Sequence, residues 1–287
     1  MAITARQPTQ ELVDLVGALG GRWHGPSAMC RCPAHADQTA SLSLRQGDKG
    51  ILVHCFAGCH PDDVLRELGR IKPGRAFPRP ETTTPRDPSE LVARMWSEGR
   101  AVAATPAEAY LRRRFLTPHF SDLRYHPRCP KGRKPLTVFL PALLVGVRNE
   151  VGICAIQRIF LDVEHGGYTE KMLLGETGTG SWRGTPTEET VAIAEGFETA
   201  AAFTQLHGIP CWASMGAKRL GALTLPSGVT SVILAEDNGT EGRRAGSKAF
   251  RAYRAQGRGV RRMPPPRRFG DWADVMEAQQ RGEGVGR

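Results

Sequence analysis

Val191-Ala192-Ile193-Ala194-Glu195-Gly196-Phe197-Glu198-Thr199 is a short apolar run that stops on an acidic turn, and the Ala200, Ala201, Ala202 and Phe203 that follow suit a helix. The same order of strand, acidic turn and helix returns downstream. Val229 and Val232-Ile233-Leu234-Ala235 run into Glu236-Asp237-Asn238-Gly239-Thr240-Glu241-Gly242, after which a basic, alanine-containing segment extends to Gln256. A third short strand is expected at residues 259–263, ahead of Asp271-Trp272-Ala273-Asp274. Strands alternating with helices imply a mostly parallel sheet, and in such a sheet the loops leaving the carboxyl ends of the strands converge on one crevice. Glu195, Asp237 and Asp271 are therefore expected to meet. Crowded carboxylates repel unless protonated or bridged, and hard oxygen ligands favour Mg²⁺ or Mn²⁺. One acidic residue in a turn is ordinary, but here three acidic turns each follow a strand-like run.

At these residues the chain resembles the Toprim domain of bacterial-type DNA primases, topoisomerases and some nucleases. Glu195-Gly196 fits the Glu-Gly after the first strand, Asp237 and Gly242 fit the Asp-x-Asp-x-x-Gly element, and Asp271 with Asp274 resembles the later acidic pair. The second Asp of Asp-x-Asp falls on Gly239, so one ligand carboxylate is missing unless Glu236 or Glu241 replaces it. The resemblance implies that Glu195 is an acid/base or metal ligand, that Asp237 is a metal ligand, and that Asp271 and Asp274 support a second ion.

The chain has 287 residues, enough for two or three domains, with a formal net charge of +10 and a sequence pI near 9.6. That balance favours a polyanionic partner. The longest apolar run, residues 137–147, is interrupted by Pro141 and too short to span a bilayer, and residues 1–20 lack a signal-peptide pattern, so a cytoplasmic protein with no membrane role is expected. Seven cysteines are an odd number, and Cys30, Cys32, Cys55 and Cys59 cluster within the first sixty residues, which points to metal in place of disulfides. Cys32-Pro33-Ala34-His35 and Cys55-Phe56-Ala57-Gly58-Cys59 are separated by a hairpin expected through residues 41–44 and 51–53, the layout of a zinc ribbon. Cys32, His35, Cys55 and Cys59 are the expected Zn²⁺ ligands, with Cys30, His54 and His60 in reserve. Cys129, Cys154 and Cys211 are expected to be buried small residues.

The first knuckle, Thr39-Ala40-Ser41 and the second knuckle resemble the zinc-binding domain of bacterial-type primases, which the resemblance makes structural and involved in template selection. Residues 71–89, with Pro73, Pro78, Pro80, Pro85 and Pro88, read as a semi-rigid linker. Residues 89–104 read as an amphipathic helix, and Thr105-Pro106-Ala107-Glu108 has capping-box spacing for the next. Its Arg112, Arg113 and Arg114 open a basic cluster interleaved with Tyr110, Phe115 and Tyr125, suited to phosphates and bases. Residues 137–140, 143–147 and 153–156 read as three strands. This region resembles the amino-terminal half of the primase polymerase core, and the resemblance places Arg158 and Lys171 at nucleotide or template contacts. Lys218 and Arg219, near the end of a strand, are expected to face either the acidic crevice or solvent, and Arg243, Arg244 and Lys248, on the helix after Gly242, to bind phosphates beside Asp237 or face solvent. The glycine-rich stretch at residues 175–184 lacks the Gly-Lys-Ser/Thr of a P-loop, which excludes an ATPase of that type.

The expected architecture is α/β: an N-terminal zinc ribbon (1–72), a Pro/Thr-rich linker (73–88), a basic α+β subdomain (89–185) and a Toprim domain whose parallel sheet is flanked by helices (186–287). The resemblance implies a DNA primase of minimal, phage- or plasmid-like form that makes short RNA primers on single-stranded DNA from ribonucleoside triphosphates. Structural Zn²⁺, catalytic Mg²⁺ or Mn²⁺ and a replicative helicase partner belong to the same expectation. A Toprim nuclease and a non-catalytic nucleic-acid-binding protein are the alternatives, the second kept open by Gly239. A topoisomerase is disfavoured because no tyrosine has a separate domain to occupy.

Overall fold

The structure, a computed structural model, describes residues 7–79, 87–132 and 137–283, which form two compact units. In the first unit, α1 (Gln10–Ala18) starts at Thr9, whose side chain accepts from the Leu12 N–H, and buries Leu12, Val13, Leu15 and Val16. The chain then forms an antiparallel meander of β1 (Arg22–His24), β2 (Ser27–Cys30), β3 (Leu42–Gln46) and β4 (Ile51–Cys55). α2 (Pro61–Leu68) follows, with Pro61 in its first turn and the His60 ring accepting from the Asp62 N–H. The core of the unit is small, comprising Leu12, Val16, Ala28, Leu42, Leu44, Val64, Leu68 and the buried thiols Cys30, Cys32 and Cys55.

Residues 73–79, expected as linker, are packed onto α1. The Phe77 N–H donates to Asp14 Oδ1 at 2.8 Å, the Phe77 carbonyl accepts from Gln10 Nε2 at 3.0 Å, and the Phe77 ring occupies the space that a Cβ on Gly17 would need. The Phe77 ring and these backbone hydrogen bonds together hold the segment against the helix. The remainder of the expected linker, apart from Asp87 and Pro88, lies outside the described residues, as do Arg133 and Lys134 of the basic cluster.

The second unit opens with α3 (Pro88–Glu98), capped by the Asp87 side chain, and α4 (Pro106–Arg113). α3 ends at Glu98, short of the expected residue 104, because Gly99 turns extended and Arg100 pairs with Tyr125. At α4 the capping box does not form: Glu108 accepts from the Ala104 N–H and Thr105 Oγ1 donates to the Val102 carbonyl. An antiparallel meander follows: β5 (Leu123–Lys131), β6 (Val138–Arg148), β7 (Ile153–Asp162) and β8 (Gly167–Gly175). The two strands expected on either side of Pro141 are one. Pairing of β6 with β7 runs from Ala142 to Arg148, and the β5 register shifts between His126 and Cys129, so Pro141 sits where no ladder bond is demanded of it.

The last sheet has the order β13-β12-β10-β11-β9, from β9 (Trp182–Arg183), β10 (Thr190–Ala194), β11 (Cys211–Ala213), β12 (Ser231–Leu234) and β13 (Gly259–Arg262). Only β9 is antiparallel. α5 (Phe197–His207) leads from β10 to β11, α6 (Thr240–Ala255) from β12 to β13, and α7 (Trp272–Gln280) closes the chain's described part. One continuous core joins Tyr110 and Leu111 of α4, Leu143 and Ile159 of the meander, and Ala194, Phe197 and Phe203 of the parallel sheet and α5 to Trp272 and Met276 of α7. Among the described residues no helix is long and apolar enough to cross a membrane.

His207 lies between Phe203 and Trp272, with ring centroids at 4.4 and 4.7 Å, and its buried Nε2 has no hydrogen-bond partner. Burial, then the nearby charge of Arg261, lowers its pKa. The unfolded chain therefore takes up this proton at higher pH than the native protein, and the associated stability, present above the unfolded pKa, is lost progressively as pH falls from there through the lower folded pKa. The thermal unfolding midpoint is expected to drop between pH 7.5 and 5, and His207→Phe to flatten that slope, as read by circular dichroism.

Candidate metal centres and nucleic-acid interface

In the first unit, the β3/β4 register sets Cys55 opposite Leu42, bringing the second knuckle against the first. Cys32, His35, Cys55 and Cys59 offer ligand atoms that all lie within 4.8 Å of one another, and His35 Nδ1 is 3.2 Å from Cys59 Sγ. Three thiols and an imidazole at that spacing suit a tetrahedral Zn²⁺. Burial raises the Cys55 thiol, but hydrogen bonds from the N–H groups of Cys59 and Ala57 and from the Ser41 and Cys32 side chains together outweigh it and bring the pKa down to about 7. Asp37, which sequence reasoning passed over, organises the first knuckle by accepting from Ser41 Oγ at 2.6 Å and from the Cys32 N–H at 2.8 Å. The reserve candidates are engaged elsewhere. Cys30 is fully buried, its thiol pushed up to about 12 by burial and by the charges of Cys32 and Asp37; His54 stacks edge-on against Phe56; His60 caps α2.

In the second unit, strand order reverses around β10, which has β11 on one side and β12 on the other. The crevice outside the carboxyl ends of strands at such a switch point is where open α/β sheets bind ligands. Glu195 leaves β10 at this point and Asp237 lies just beyond β12. Asp237 Oδ1 is buried with no hydrogen-bond partner. Burial, followed by the charges of Asp271, Glu195, Asp274 and Glu236, raises the Asp237 pKa to about 7. Glu195 is raised as well, by burial and by the charge of Glu241. An orphaned carboxylate oxygen among like charges fits a bound divalent cation.

The acidic pair in α7 is partly committed to structure. Asp271 Oδ1 caps α7 by accepting from the Ala273 and Asp274 N–H groups at 2.7 and 3.0 Å, and its Oδ2 accepts from Thr199 Oγ1 at 3.2 Å. Asp274 Oδ2 accepts from the Asp271 N–H at 3.4 Å, completing a capping box, and from the Gly270 N–H at 2.9 Å, while its Oδ1 remains unbonded among the described residues. Although these charges act on Asp237, no three of the four carboxylates offer oxygens within 4.8 Å of one another; among the described residues only the Cys/His cluster does so.

The two residues weighed as substitutes for the missing Asp separate clearly. Glu236 is 2% exposed and held by Arg262, whose Nε donates to both carboxylate oxygens at 2.9 Å, and its carboxylate fills the space a Cβ on Gly246 would take. It cannot turn towards the crevice. Glu241 is exposed, in the first turn of α6, and acts electrostatically on Glu195. Gly242 lets α6 approach the strand end, since a Cβ there would lie 2.4 Å from the Asp237 carbonyl oxygen. Gly239 is the N-cap of α6, with an extended φ of −63° and ψ of 162° and open space where a Cβ would stand.

The expected basic contacts divide. Lys218 is exposed on the 3-10 turn Ala217–Arg219, and the Ala217 backbone favours the charged form of the Glu195 carboxylate. Lys171 points from β8 to α5 and donates to Glu198 at 2.6 Å. Arg158 does not join it. Paired residues in a sheet share a face and successive residues alternate: Lys171 pairs with Ile159, on the face towards α5, while Arg158 pairs with Met172 on the α3 face. Arg158 is 8% exposed and donates to the Pro130 carbonyl at 2.8 Å, which corrects its expected place in a nucleotide-facing pair. The arginine triplet also splits: Arg112 pairs with Glu108 on its own helix, Arg114 with Glu277 of α7, and Arg113 lies against Gly166. Arg243 is exposed and donates to the Asn238 carbonyl beside Asp237.

Two residues that sequence reasoning left unassigned tie this site together. Glu198 is 7% exposed and receives hydrogen bonds from Lys171 and, at 2.7 Å, from Tyr110 of α4. Burial alone would raise its carboxyl; the Lys171 charge and the two hydrogen bonds outweigh that and hold it below its ordinary value. Arg219 donates to the carbonyls of Ser214, Gly178 and Gly180, clamping the glycine-rich loop against the strand-end turn. The only signal for Glu198 was its place three residues after Glu195; Arg219 read, with Lys218, as a basic residue near a strand end facing the crevice or solvent, and nothing in the sequence marked it as a clamp.

Each centre yields a measurement. Cys55→Ser combined with Cys59→Ser is expected to remove a zinc atom from the purified protein, read by elemental analysis, and to abolish folding of the first unit while leaving that of the second. For the acidic crevice, millimolar Mn²⁺ or Mg²⁺ is expected to raise the unfolding temperature at pH 8, where Asp237 is ionised. Asp237→Asn is expected to raise the metal-free unfolding temperature at that pH and to remove the response to metal.

Residues 86–184 match a domain of unknown function, DUF7146, and residues 190–283 match the Toprim domain family. No curated protein sequence matches the chain. Among solved structures, the chain is similar to the DnaG catalytic core, at 16% identity and a TM-score of 0.51 over 67% of this chain and 76% of that one. It is also similar to the zinc-binding and RNA polymerase domains of the Aquifex aeolicus primase, at 14% identity and a TM-score of 0.48 over 95% and 83%. A DNA primase domain from Pseudomonas aeruginosa matches at 17% identity and a TM-score of 0.46 over 68% and 77%. The chain thus carries a Toprim domain at residues 190–283 and has the fold of the DnaG-type primase catalytic core.

Proposed function

We propose that this protein is a DNA primase, joining ribonucleotides on a single-stranded DNA template. The observation that carries the reading is the buried, unpartnered Asp237 Oδ1 at the switch point of a Toprim sheet, flanked by Glu195 and by the charges of Asp271 and Asp274. Asp237 and Glu195 would hold Mg²⁺ or Mn²⁺, with Asp274 Oδ1 as a further ligand. When bound, such an ion neutralises charge on the phosphates of an incoming nucleoside triphosphate and activates the 3′-hydroxyl of the growing strand. The chain's own contribution is position and field. Lys218, exposed beside Glu195, suits a triphosphate oxygen. Lys171, fixed by Glu198 with its ammonium 4.5 Å from the Tyr168 ring centroid, presents a cation and an aromatic surface for the strand. The zinc ribbon supplies a second, separately folded surface for template, and a replicative helicase remains the expected partner in replication.

Gly239 favours a second reading, a nucleic-acid-binding protein with weakened metal affinity and no synthesis. Purified protein incubated with single-stranded template, labelled ribonucleotides and Mg²⁺ or Mn²⁺ separates the readings: extension products support synthesis, shortened template indicates a nuclease, and retarded but unchanged template indicates a binder. Asp237→Asn and Glu195→Gln are expected to lower synthesis by about a hundredfold or more, in line with loss of electrostatic stabilisation at a reaction centre. Gly239→Asp fits the open space and extended backbone at the α6 N-cap, where Asp stabilises a helix by a few tenths of a kcal/mol over Gly. It is expected to tighten Mn²⁺ binding, measured by calorimetry, and to raise primer yield. Unchanged binding would show that the open space at residue 239 is no ligand position.

A further inference from the structure

The charge of this chain is not spread over it. Residues 243–268 contain ten Lys and Arg and no Asp or Glu, which equals the net charge of +10 for the whole protein; the other 29 Lys and Arg are matched by 29 Asp and Glu. Several of the ten have structural work. Arg258 donates to the carbonyls of Leu225 and Pro226, Arg262 holds Glu236, Arg243 bonds the Asn238 carbonyl, and Arg268 stacks on Phe269.

Arg244, Lys248, Arg251 and Arg254 are different. All four are exposed, and among the described residues their side chains make no hydrogen bond or ion pair. α6 buries Gly242, Ala245, Gly246, Ala249 and Tyr253 against the sheet, and at 100° per residue the four cations fall on the opposite side. They recur at intervals of four, three and three residues, one per helical turn, spanning about 15 Å at 1.5 Å per residue. Like charges at such intervals repel and weaken a helix. The other helices of the protein avoid this by pairing: Arg66 with Asp63 and Arg70 with Glu67 on α2, Arg94 with Glu98 on α3, Arg112 with Glu108 on α4, and Arg281 with Glu277 at the end of α7. α6 alone among them carries an unpaired row.

We infer that the outer face of α6 is a binding track for a nucleic-acid backbone, with Arg244, Lys248, Arg251 and Arg254 each meeting a phosphate. A row of point charges one helical turn apart matches a polymer with a charge at every residue, and it reads no bases. The row begins one turn beyond Gly239 and Glu241, so it leads away from the strand-end crevice that holds Asp237. That location rests on the proposed function, whereas the track itself does not.

The test is equilibrium binding by fluorescence anisotropy, without nucleotides or divalent metal, of labelled single-stranded DNA and of an RNA–DNA hybrid to the full chain. In the variant with Arg244→Gln, Lys248→Gln, Arg251→Gln and Arg254→Gln, Kd is expected to rise about tenfold or more near 0.15 M salt. The slope of log K against log salt is expected to fall by about 3, since each single-strand phosphate contact contributes about 0.7. A variant with Arg66, Arg70, Arg94 and Arg281 changed to Gln loses the same charge and is expected to retain most of the affinity and slope. The track variant is expected to unfold no earlier than the parent, because its repulsion is relieved. Unchanged Kd and slope in the track variant, equal losses in the control, or binding to phosphatidylserine vesicles in preference to both oligonucleotides would each overturn the inference. Absence of primer synthesis would not, because binding is measured without catalysis.

Discussion

Carboxylates taken out of water near one another are unfavourable as anions, and the second unit nevertheless brings several within one another's electrostatic reach. The order reversal at β10 places the ends of β10 and β12 side by side, and Glu195 and Asp237 follow those ends. Around Asp237, burial and four neighbouring acidic groups move the carboxyl to a pKa of about 7 and leave one buried oxygen unbonded. Such an arrangement stores unfavourable electrostatics that a bound cation relieves. Much of the rest of the unit serves to hold it. Gly242 permits α6 to touch the strand end, and the α7 N-terminus is pinned by Asp271 and Asp274, whose capping role also fixes their charges in place.

The antiparallel meander is joined to that site by one buried ionic contact. Glu198 lies at the start of α5, one turn from Glu195, and its carboxylate is satisfied by Lys171 from β8 and Tyr110 from α4. A buried charge with its partner removed is strongly destabilising, so this contact specifies how α4, β8 and α5 come together. The face of the meander towards α5 thereby gains its cation at Lys171, while Arg158, one strand away, serves the opposite face. Arg219 performs the corresponding service for the glycine-rich loop, drawing its carbonyls towards the turn that follows β11.

The first unit is organised by different chemistry. Its core is small for a sheet and two helices, and three of the core's thiols lie at or beside the metal cluster. A Cys/His cluster of that kind fits Zn²⁺, and wherever such a cluster holds metal, folding and binding are coupled, since ligand convergence and strand register are the same event. Asp37 gathers the first knuckle through backbone and side-chain hydrogen bonds before any ion is considered.

Local pattern by itself determined the alternation of strand, acidic turn and helix after Val191, the parallel sheet, the two zinc knuckles and the amphipathic run that became α3. These features are legible because each depends on residues within one or two turns of the chain: period, spacing and turn chemistry. The direction in which a side chain finally points depends on partners far away in sequence, and only the tertiary structure decided it. Glu236 and Asp237 are adjacent, yet one is held by Arg262 across the sheet edge and the other faces the crevice. Arg158 and Lys171 both read as basic residues on strands, and register put them on opposite faces. Pro73 and Pro78 read as linker, but Phe77 between them docks on Gly17 sixty residues earlier in the chain. Periodicity fixes what an element is, whereas pairing across the fold fixes which of its side chains are free to act.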